Sequence, residues 1–402
     1  MTDLAGRRLV HVTTSDISLA LLLGPQLRAF ADAGLEVIGA SAPGPFVDQL
    51  TGWGITHVPL GHATRSVSPG HDLLALPELE RLFRRLRPDI VHTHNPKPGL
   101  YGRMAARAAG VPGIVNTVHG LYAAPEDPLG RKAVVYALER MAAVCSHVEL
   151  YQNPDDLAVM RRLGVPAAKQ VLLGNGVDLQ RFAPRRSGAD RARARAALGV
   201  DPDAVVVGTV GRLVWQKGFR ELFEAARHMR SIRTEVVFVV VGPEDQAKGD
   251  ALTPDDLAAA SALGNVVFTG HRDDVEELYP GFDVFVLPSY REGFPRSAME
   301  AAASGLPVIA TDIRGCRQVV ESGSSGLLVP LHDVGALTMA IAELAGDEQR
   351  RSIMGIRARQ KAEAEFDDRA IIRTTLSAYE TLPGPTTAWT TARIRSSEAE
   401  SS

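Results

Sequence analysis

The chain has 402 residues, 45% hydrophobic and 23% charged, and its 44 basic against 47 acidic side chains leave a net charge of -3. Such a chain is expected to fold as about two soluble domains with two sizeable cores. The charge balance excludes the basic excess of a nucleic-acid binder. Cys145 and Cys316 have no metal-ligand spacing around them and read as reduced thiols of a cytosolic protein.

Arg7 and Arg8 precede an apolar patch at 17–23, which Pro25, Gln26 and Arg28 interrupt. This predicts a first amphipathic helix rather than a signal peptide, and no stretch approaches the ~20 apolar residues of a membrane span. The expected location is cytoplasmic, with peripheral contact on the inner face of the membrane as an extension. Short β-branched runs then alternate with Ala/Leu/Arg-rich helical patterns, the mark of parallel sheets with crossover helices. Strands are expected at 9–13, 35–40, 90–93, 113–118 and 147–151, and again at 205–210, 235–241, 265–269, 284–288 and 307–311. The polar, turn-rich segment 183–190 separates the two sets, so the expected domains are 1–182 and 183–366. Two doubly wound domains meeting face to face would put the carboxyl ends of both sheets at one cleft. The Pro/Thr/Ser-rich tail, 383–402, lacks apolar periodicity and is expected to be disordered.

In the first half, an amphipathic run at 73–86 carries Arg81, Arg84 and Arg85, with Arg87 just past it. Such a helix can lie on an anionic membrane, each cation adding about 1 kcal/mol near the surface. A solvated charged face is the plainer reading. Arg103, Arg107, Arg131 and Lys132 could extend the basic face. His92 and His94 end the strand at 90–93. Strand side chains alternate between faces, and on that ground at most one of the pair is expected to look into a cleft. No third ligand is close in sequence, so metal binding is not expected. His94, with Lys97 after the turn, is the better acceptor-side candidate. His119, in Asn-Thr-Val-His-Gly at the end of the strand at 113–118, sits where a reacting residue would be placed. The alternative is a histidine capping a buried turn.

In the second half, Gly211-Arg-Leu-Val-Trp-Gln-Lys-Gly218 follows a continuous apolar strand. Glycine lets backbone approach a ligand, and Arg212 and Lys217 put positive charge on the same loop. Fixed cations there can stabilise charge building on a departing diphosphate and replace a metal ion. Two solvated cations after a turn would look the same. The most informative stretch is Leu287-Pro-Ser-Tyr-Arg-Glu-Gly-Phe-Pro-Arg-Ser-Ala-Met-Glu300. An apolar strand ends in a turn carrying Glu292, and Gly293-Phe294-Pro295 open a small-residue helix with Glu300 further in. Pro suits a first helical turn, and N–H groups at such a terminus attract a phosphate. Ala298, Met299 and 301–303 surround Glu300 with apolar groups, so its carboxylate needs a ligand or a structural partner. Two acids beside an anion site suit a sugar nucleotide.

With Pro-Ser before it and Ala-Ser-Gly-Leu-Pro-Val-Ile-Ala-Thr-Asp after it, this stretch resembles the donor-site signature of family 4 retaining glycosyltransferases. Their fold is GT-B, two Rossmann-like doubly wound α/β domains facing an interdomain cleft. The loop 211–218 is similar to a family loop whose Arg and Lys hold the donor diphosphate. The resemblance implies Arg212 and Lys217 on the diphosphate, Glu292 on a donor-sugar hydroxyl and Glu300 on the ribose. It also implies His119 near the donor sugar, with Gly211, Gly293, Phe294 and Pro295 lining the site. His119, Arg212, Lys217 and Glu292 are then the catalytic candidates. His271, in Gly-His-Arg after the strand at 265–269, falls where relatives place the nucleotide base. Asn175-Gly-Val-Asp178 is a turn frequent in the family and reads as hinge support. In GT-B relatives the last helix crosses back onto the first domain, here 367–380. One departure concerns the Gly-Gly loop that many members carry after the first strand. This chain has Thr13-Thr-Ser-Asp-Ile-Ser18 instead, with Ser15 an acceptor-side candidate. The segment 91–120 resembles members that build capsular, exopolysaccharide or lipid-linked glycans.

The implied function is metal-independent, retaining transfer of a hexosyl or N-acetylhexosaminyl group from a nucleotide-diphosphate sugar. The acceptor would be a hydroxyl of a glycan, a lipid-linked sugar or a small molecule. A UDP-sugar is the first expectation and GDP-mannose the second; the nucleotide sugar is a substrate, and no resident cofactor is implied. One rival is a non-hydrolysing nucleotide-sugar epimerase, which shares the GT-B architecture but typically lacks the glutamate pair around Gly-Phe-Pro. The other is a non-catalytic nucleotide-sugar-binding partner subunit, which need not retain the charged site.

Overall fold

The β-branched runs form two all-parallel sheets in the computed structural model, which describes residues 4–63, 69–94, 96–123, 127–184, 187–245 and 249–384. The first sheet holds β1 (Arg8–Ser15), β2 (Glu36–Ala42), β3 (Thr56–Pro59), β4 (Ile90–His94), β5 (Gly113–Val118), β6 (Val148–Tyr151) and β7 (Gln170–Leu172), in the order β3-β2-β1-β4-β5-β6-β7. The second holds β8 (Val205–Val210), β9 (Val236–Val241), β10 (Val266–Gly270), β11 (Val284–Leu287), β12 (Val308–Thr311) and β13 (Gly326–Val329), in the order β10-β9-β8-β11-β12-β13. Every strand expected from the sequence is present. Those it lacked, β3, β7 and β13, have three or four residues each and lie at sheet edges. An edge strand pairs on one side only and needs no long apolar run.

Helices cover both faces of a parallel sheet, so its strands tend to near-continuous apolar runs. In the second sheet, Val206, Val239, Val241, Phe285 and Leu287 enter one buried cluster. Their alternates Val207, Phe238, Val240, Val284 and Val286 enter another. In the first sheet, Val10, Val12, Ile38 and Val91 pack with Leu79, Leu82 and Phe83 of the helix Pro69–Leu86.

Two compact units result, one of residues 1–173 and 372–402, the other of 174–371. The division falls before the 182/183 boundary expected from the linker, for a local reason. The Val177 N–H donates to the Phe366 carbonyl at 2.9 Å, and Gly176 lies so close to Asp368 that a Cβ would sit 2.6 Å from its Cα. The turn 175–178 is therefore tied into the second unit. The chain rejoins the first unit within the helix Asp368–Glu380, whose Tyr379 is fully buried there. The tail from 385 onward, expected to be disordered, lies outside the described residues.

Two other expectations change. The apolar patch at 17–23 forms a π-helical turn, Ser18–Leu22, and the first α-helix is Gly24–Asp32 with Pro25 in its first turn. Arg103 extends no basic surface: it is fully buried and donates to Glu139 at 2.6 Å and Glu149 at 2.7 Å. Arg107 and Arg131 are exposed, as are Arg81, Arg84 and Arg85.

Strand order reverses between β1 and β4 in the first sheet and between β8 and β11 in the second. In open α/β sheets, ligands bind outside the carboxyl ends of the strands at such a point. Arg212, Lys217 and Glu292 follow β8 and β11, and Ser15, His94 and Lys97 end or follow β1 and β4, at these two places, whereas His119 and His271 follow β5 and β10.

Candidate functional site

In the second unit, β8 runs into Gly211, whose N–H donates to the Val241 carbonyl at 2.9 Å. The loop continues through a 3-10 turn, Trp215–Lys217, and is closed by Gly218 at φ 78°. A Cβ on Gly218 would run into the Pro288 carbonyl, so glycine lets this loop pack directly on the end of β11. That packing carries Lys217 to the neighbouring loop. Its Nζ donates to Glu292 Oε1 at 2.6 Å, with side chains 23% and 12% exposed. The loop carrying Glu292 is held from below by Gly315, where a Cβ would clash with the Glu292 carbonyl. Arg212, at the start of the same loop, donates to Asp245 Oδ2 at 2.5 Å.

Pro295 occupies the N-cap position of the helix Arg296–Ala303, one place ahead of the first turn. It has no polar side chain to cap the first-turn N–H groups, which suits an anion site. Phe294 packs edge-on against Phe366, with ring centroids 5.7 Å apart, and its carbonyl accepts from Asn175 Nδ2 at 3.4 Å. The 175–178 turn thus supports the Gly293-Phe294-Pro295 loop directly. Glu300 is partly buried on the helix, its side chain 12% exposed, where Tyr279 donates to Oε2 at 2.9 Å and Arg296 to Oε1 at 3.2 Å. Burial pushes its carboxyl above the usual range despite Arg296. His271 follows Gly270 at the end of β10; it is exposed, with Nε2 3.1 Å from Asp273 Oδ1.

Sequence reasoning missed Asp245, Tyr279, Arg296 and Cys316 around these residues. Cys316 is buried close enough to Glu292 and Lys217 to feel both charges, and burial pushes its thiol far up, so it is no nucleophile. Asp245 and Tyr279 come from segments distant in sequence, and no motif marks them. The one available signal was Arg296, four residues before Glu300 on one helix face.

In the first unit, the carboxyl-end histidines form one cluster. His11 on β1 pairs in register with His92 on β4. His92 and His94 do not point to opposite faces as expected. Residues two apart on a strand share a face, and their ring centroids lie 4.6 Å apart. A third imidazole is also present, since ring nitrogens of His11, His92 and His94 lie within 4.8 Å of one another. His94 Nδ1 is 2.9 Å from His119 Nε2, and Gln152 also hydrogen-bonds His119. Burial lowers the pKa of His11 to about 3 and of His119 to about 4, and holds His92 and His94 well below the histidine range. All four rings are neutral at pH 7.

The remaining acceptor-side candidates lie at the same end of this sheet. Ser15 Oγ is 3.2 Å from Ser18 Oγ, and the Thr13 hydroxyl donates to the Ser15 carbonyl at 3.0 Å. Asp16 anchors the loop by accepting from the Phe46 N–H at 2.7 Å. Lys97 opens the helix Lys97–Ala109 and lines a small pocket with Thr13, Thr14, Glu78 and Tyr101.

Residues 204–347 match the family model described as glycosyl transferases group 1, and residues 23–176 match a glycosyl transferase 4-like domain. The chain is 33% identical to the UDP-Gal:alpha-D-GlcNAc-diphosphoundecaprenol alpha-1,3-galactosyltransferase of Escherichia coli, over 71% of this chain and 73% of that protein. It is also 33% identical to the D-inositol 3-phosphate glycosyltransferase of Kribbella flavida, over 73% and 71% of the two chains. Among solved structures, Anabaena HepE in complex with UDP is similar in fold, with a TM-score of 0.78 at 21% identity over 94% of this chain and 100% of that one.

Proposed function

We infer that this chain, which belongs to the group 1, family 4 glycosyltransferases and has their GT-B fold, is a retaining enzyme that moves a sugar from a UDP-sugar to a lipid-linked acceptor. Glycosyl transfer from a nucleotide sugar is the activity of the family. The observation that carries the donor assignment is the Lys217–Glu292 contact: a cation and an acid from two loops meet beside the strand-order reversal of the second sheet.

In this reading the diphosphate lies on the first turn of the helix Arg296–Ala303, and Lys217 and Arg212 bring positive charge to it. Glu292 accepts from a hydroxyl of the donor sugar. Glu300, already oriented by Tyr279 and Arg296, has acceptor capacity left for the ribose hydroxyls. His271 stands on the base side, and His119 is assigned to the donor sugar on the family's pattern. The acceptor oxygen bonds to the anomeric carbon as the bond to the phosphate oxygen breaks. Both occur on one face of the sugar, and the leaving phosphate takes the acceptor's proton. The two cations supply the stabilisation of departing charge that other transferases draw from a metal, so turnover is proposed to be metal-independent.

A lipid-linked acceptor is supported by the relative from Escherichia coli, whose name specifies a diphosphoundecaprenol acceptor. The helix Leu129–Ala143 adds support, because Leu129, Val134, Leu138 and Met141 are exposed along it and Val144 just past it. Arg131 stands at its start. Such a face suits peripheral contact with an anionic membrane surface. Among the described residues, no helix is long and apolar enough to cross one.

Melting temperatures measured with UDP-, GDP- and ADP-sugars test the donor, since a ligand that binds the native state raises its stability with occupancy. A shift with UDP-sugars alone is expected; a shift confined to GDP-mannose overturns the uridine assignment. Labelled donor incubated with diphosphoundecaprenol-linked sugars should yield a labelled lipid. Conversion of the donor to an isomer without any acceptor would overturn transfer itself.

A further inference from the structure

We propose that Tyr379 is a positioning residue for His119, acting through a continuous buried chain of hydrogen bonds that sets the tautomer of each imidazole along it. This rests on the reading that His119 serves the donor sugar. The chain runs from Thr117 Oγ1 to His92 Nε2 at 2.7 Å and from His92 Nδ1 to the Tyr379 hydroxyl at 2.6 Å. It continues from that hydroxyl to His11 Nε2 at 3.3 Å, from His11 Nδ1 to His94 Nε2 at 3.0 Å, and from His94 Nδ1 to His119 Nε2 at 2.9 Å. The His11 and His94 rings are 18° from coplanar with centroids 5.3 Å apart, and those of His94 and His119 are 32° apart at 5.1 Å. Each short N···N contact therefore lies along the line joining two rings, as an in-plane N–H···N bond requires.

Both ring nitrogens of His11, His92 and His94 are committed to these links. A metal ion would have to take their lone pairs away from existing hydrogen bonds, so the cluster is better matched to protons than to a cation. A neutral imidazole has one N–H, and each link needs one proton, so fixing any link fixes the rest. Tyr379 fixes them. Its single proton belongs in the shorter contact, to His92, because hydroxyl donors make the shorter bonds. Its oxygen is then left to accept from His11 Nε2. It follows that His11, His94 and His119 are all Nε2–H tautomers, each donating to the previous member of the chain. His92 donates from Nε2 to Thr117, and His119 keeps Nδ1 as an acceptor.

The experiment is a long-range 1H–15N correlation spectrum of the full chain labelled in its histidines, with donor kinetics alongside. The wild type should show Nε2–H for all four rings. In Tyr379→Phe, His11 loses its acceptor; because a buried N–H without a partner is costly, His11, His94 and His119 should switch to Nδ1–H while His92 stays unchanged. In Thr117→Val, which removes the acceptor at the other end, all four should switch. Either variant should lower kcat about tenfold or more with donor KM within about twofold. Unchanged tautomers of His94 and His119 in both variants overturn the proposal. So does about one equivalent of zinc that is retained by the wild type and lost in His11→Asn. If His119→Ala keeps full turnover, the donor-sugar role of His119 fails, while the spectra still decide the chain.

Discussion

The Lys217 ammonium donates to the Glu292 carboxylate at 2.6 Å although 75 residues separate them in sequence. Each neutralises the other in a half-buried place, and each becomes available when a substrate offers a better partner. In the proposed donor site a sugar hydroxyl takes over one lone pair of Glu292 and a diphosphate draws Lys217. The two loops thus hold a cation and an acid in one place, as the proposed donor site requires.

Lys217→Ala should lower kcat by about 10²–10³ while changing donor KM far less, because its charge matters most as the phosphate departs. Steady-state kinetics with saturating acceptor measure this. A variant with near-normal kcat and a raised KM would place Lys217 in ground-state binding only.

Glu300 gives a prediction with a definite sign. Burial raises its folded pKa, so the folded state binds its proton more tightly than the unfolded chain does. Stability from this group is present below the ordinary glutamate pKa and is lost as pH rises through the raised value. Glu300→Gln removes that loss, so its melting temperature relative to wild type should be higher at pH 7 than at pH 4. The same variant should raise donor KM about tenfold through a weaker ribose contact. A pH-independent difference in melting temperature would refute the stability argument.

The histidine cluster predicts the opposite slope. Folded pKa values lie far below 6.5, about 4 for His119 and about 3 for His11, so the unfolded chain takes up protons that the folded one refuses. Stability is complete above pH 6.5 and falls as pH drops toward 4. Urea midpoints measured across this range should fall less steeply in His11→Asn than in the wild type.

Arg103 is predicted to be structural. Its guanidinium holds Glu139 and Glu149, and Glu149 also accepts from Asn116 at 2.9 Å. Arg103→Met leaves two buried carboxylates without their cation and should cost about 3–5 kcal/mol. Arg84→Ala, which breaks the exposed pair with Glu80, should cost about 0.5 kcal/mol or less. Urea unfolding separates the two.

Gly218→Ala tests the loop geometry. A side chain at φ 78° facing the Pro288 carbonyl must push the loop off β11 and take Lys217 with it. Both stability and turnover should fall, whereas Gly188→Ala, at a position open to space, should change neither. Equal effects at the two glycines would show that the close approach at Gly218 is unimportant.

Local pattern determined the architecture and the motif on which the donor proposal rests. Runs such as 205–210, apolar but for Thr209, and 236–241, apolar at every position, have a use only in a sheet covered on both faces. Gly-Phe-Pro between Glu292 and Glu300 likewise carries its own chemistry, because the turn, the helix start and the two acids are neighbours in the chain. Tertiary structure decided who meets whom. Asp245 on Arg212, Tyr279 on Glu300, and His11 and Tyr379 in the imidazole chain come from segments apart in sequence, and no short spacing records such pairings. The wrong expectation for His92 and His94 was of another kind, since strand periodicity already puts both on one face. Arg103 shows the remaining limit. A cation on a helix reads as solvated until packing sets two carboxylates against it, and only the folded chain determines that environment.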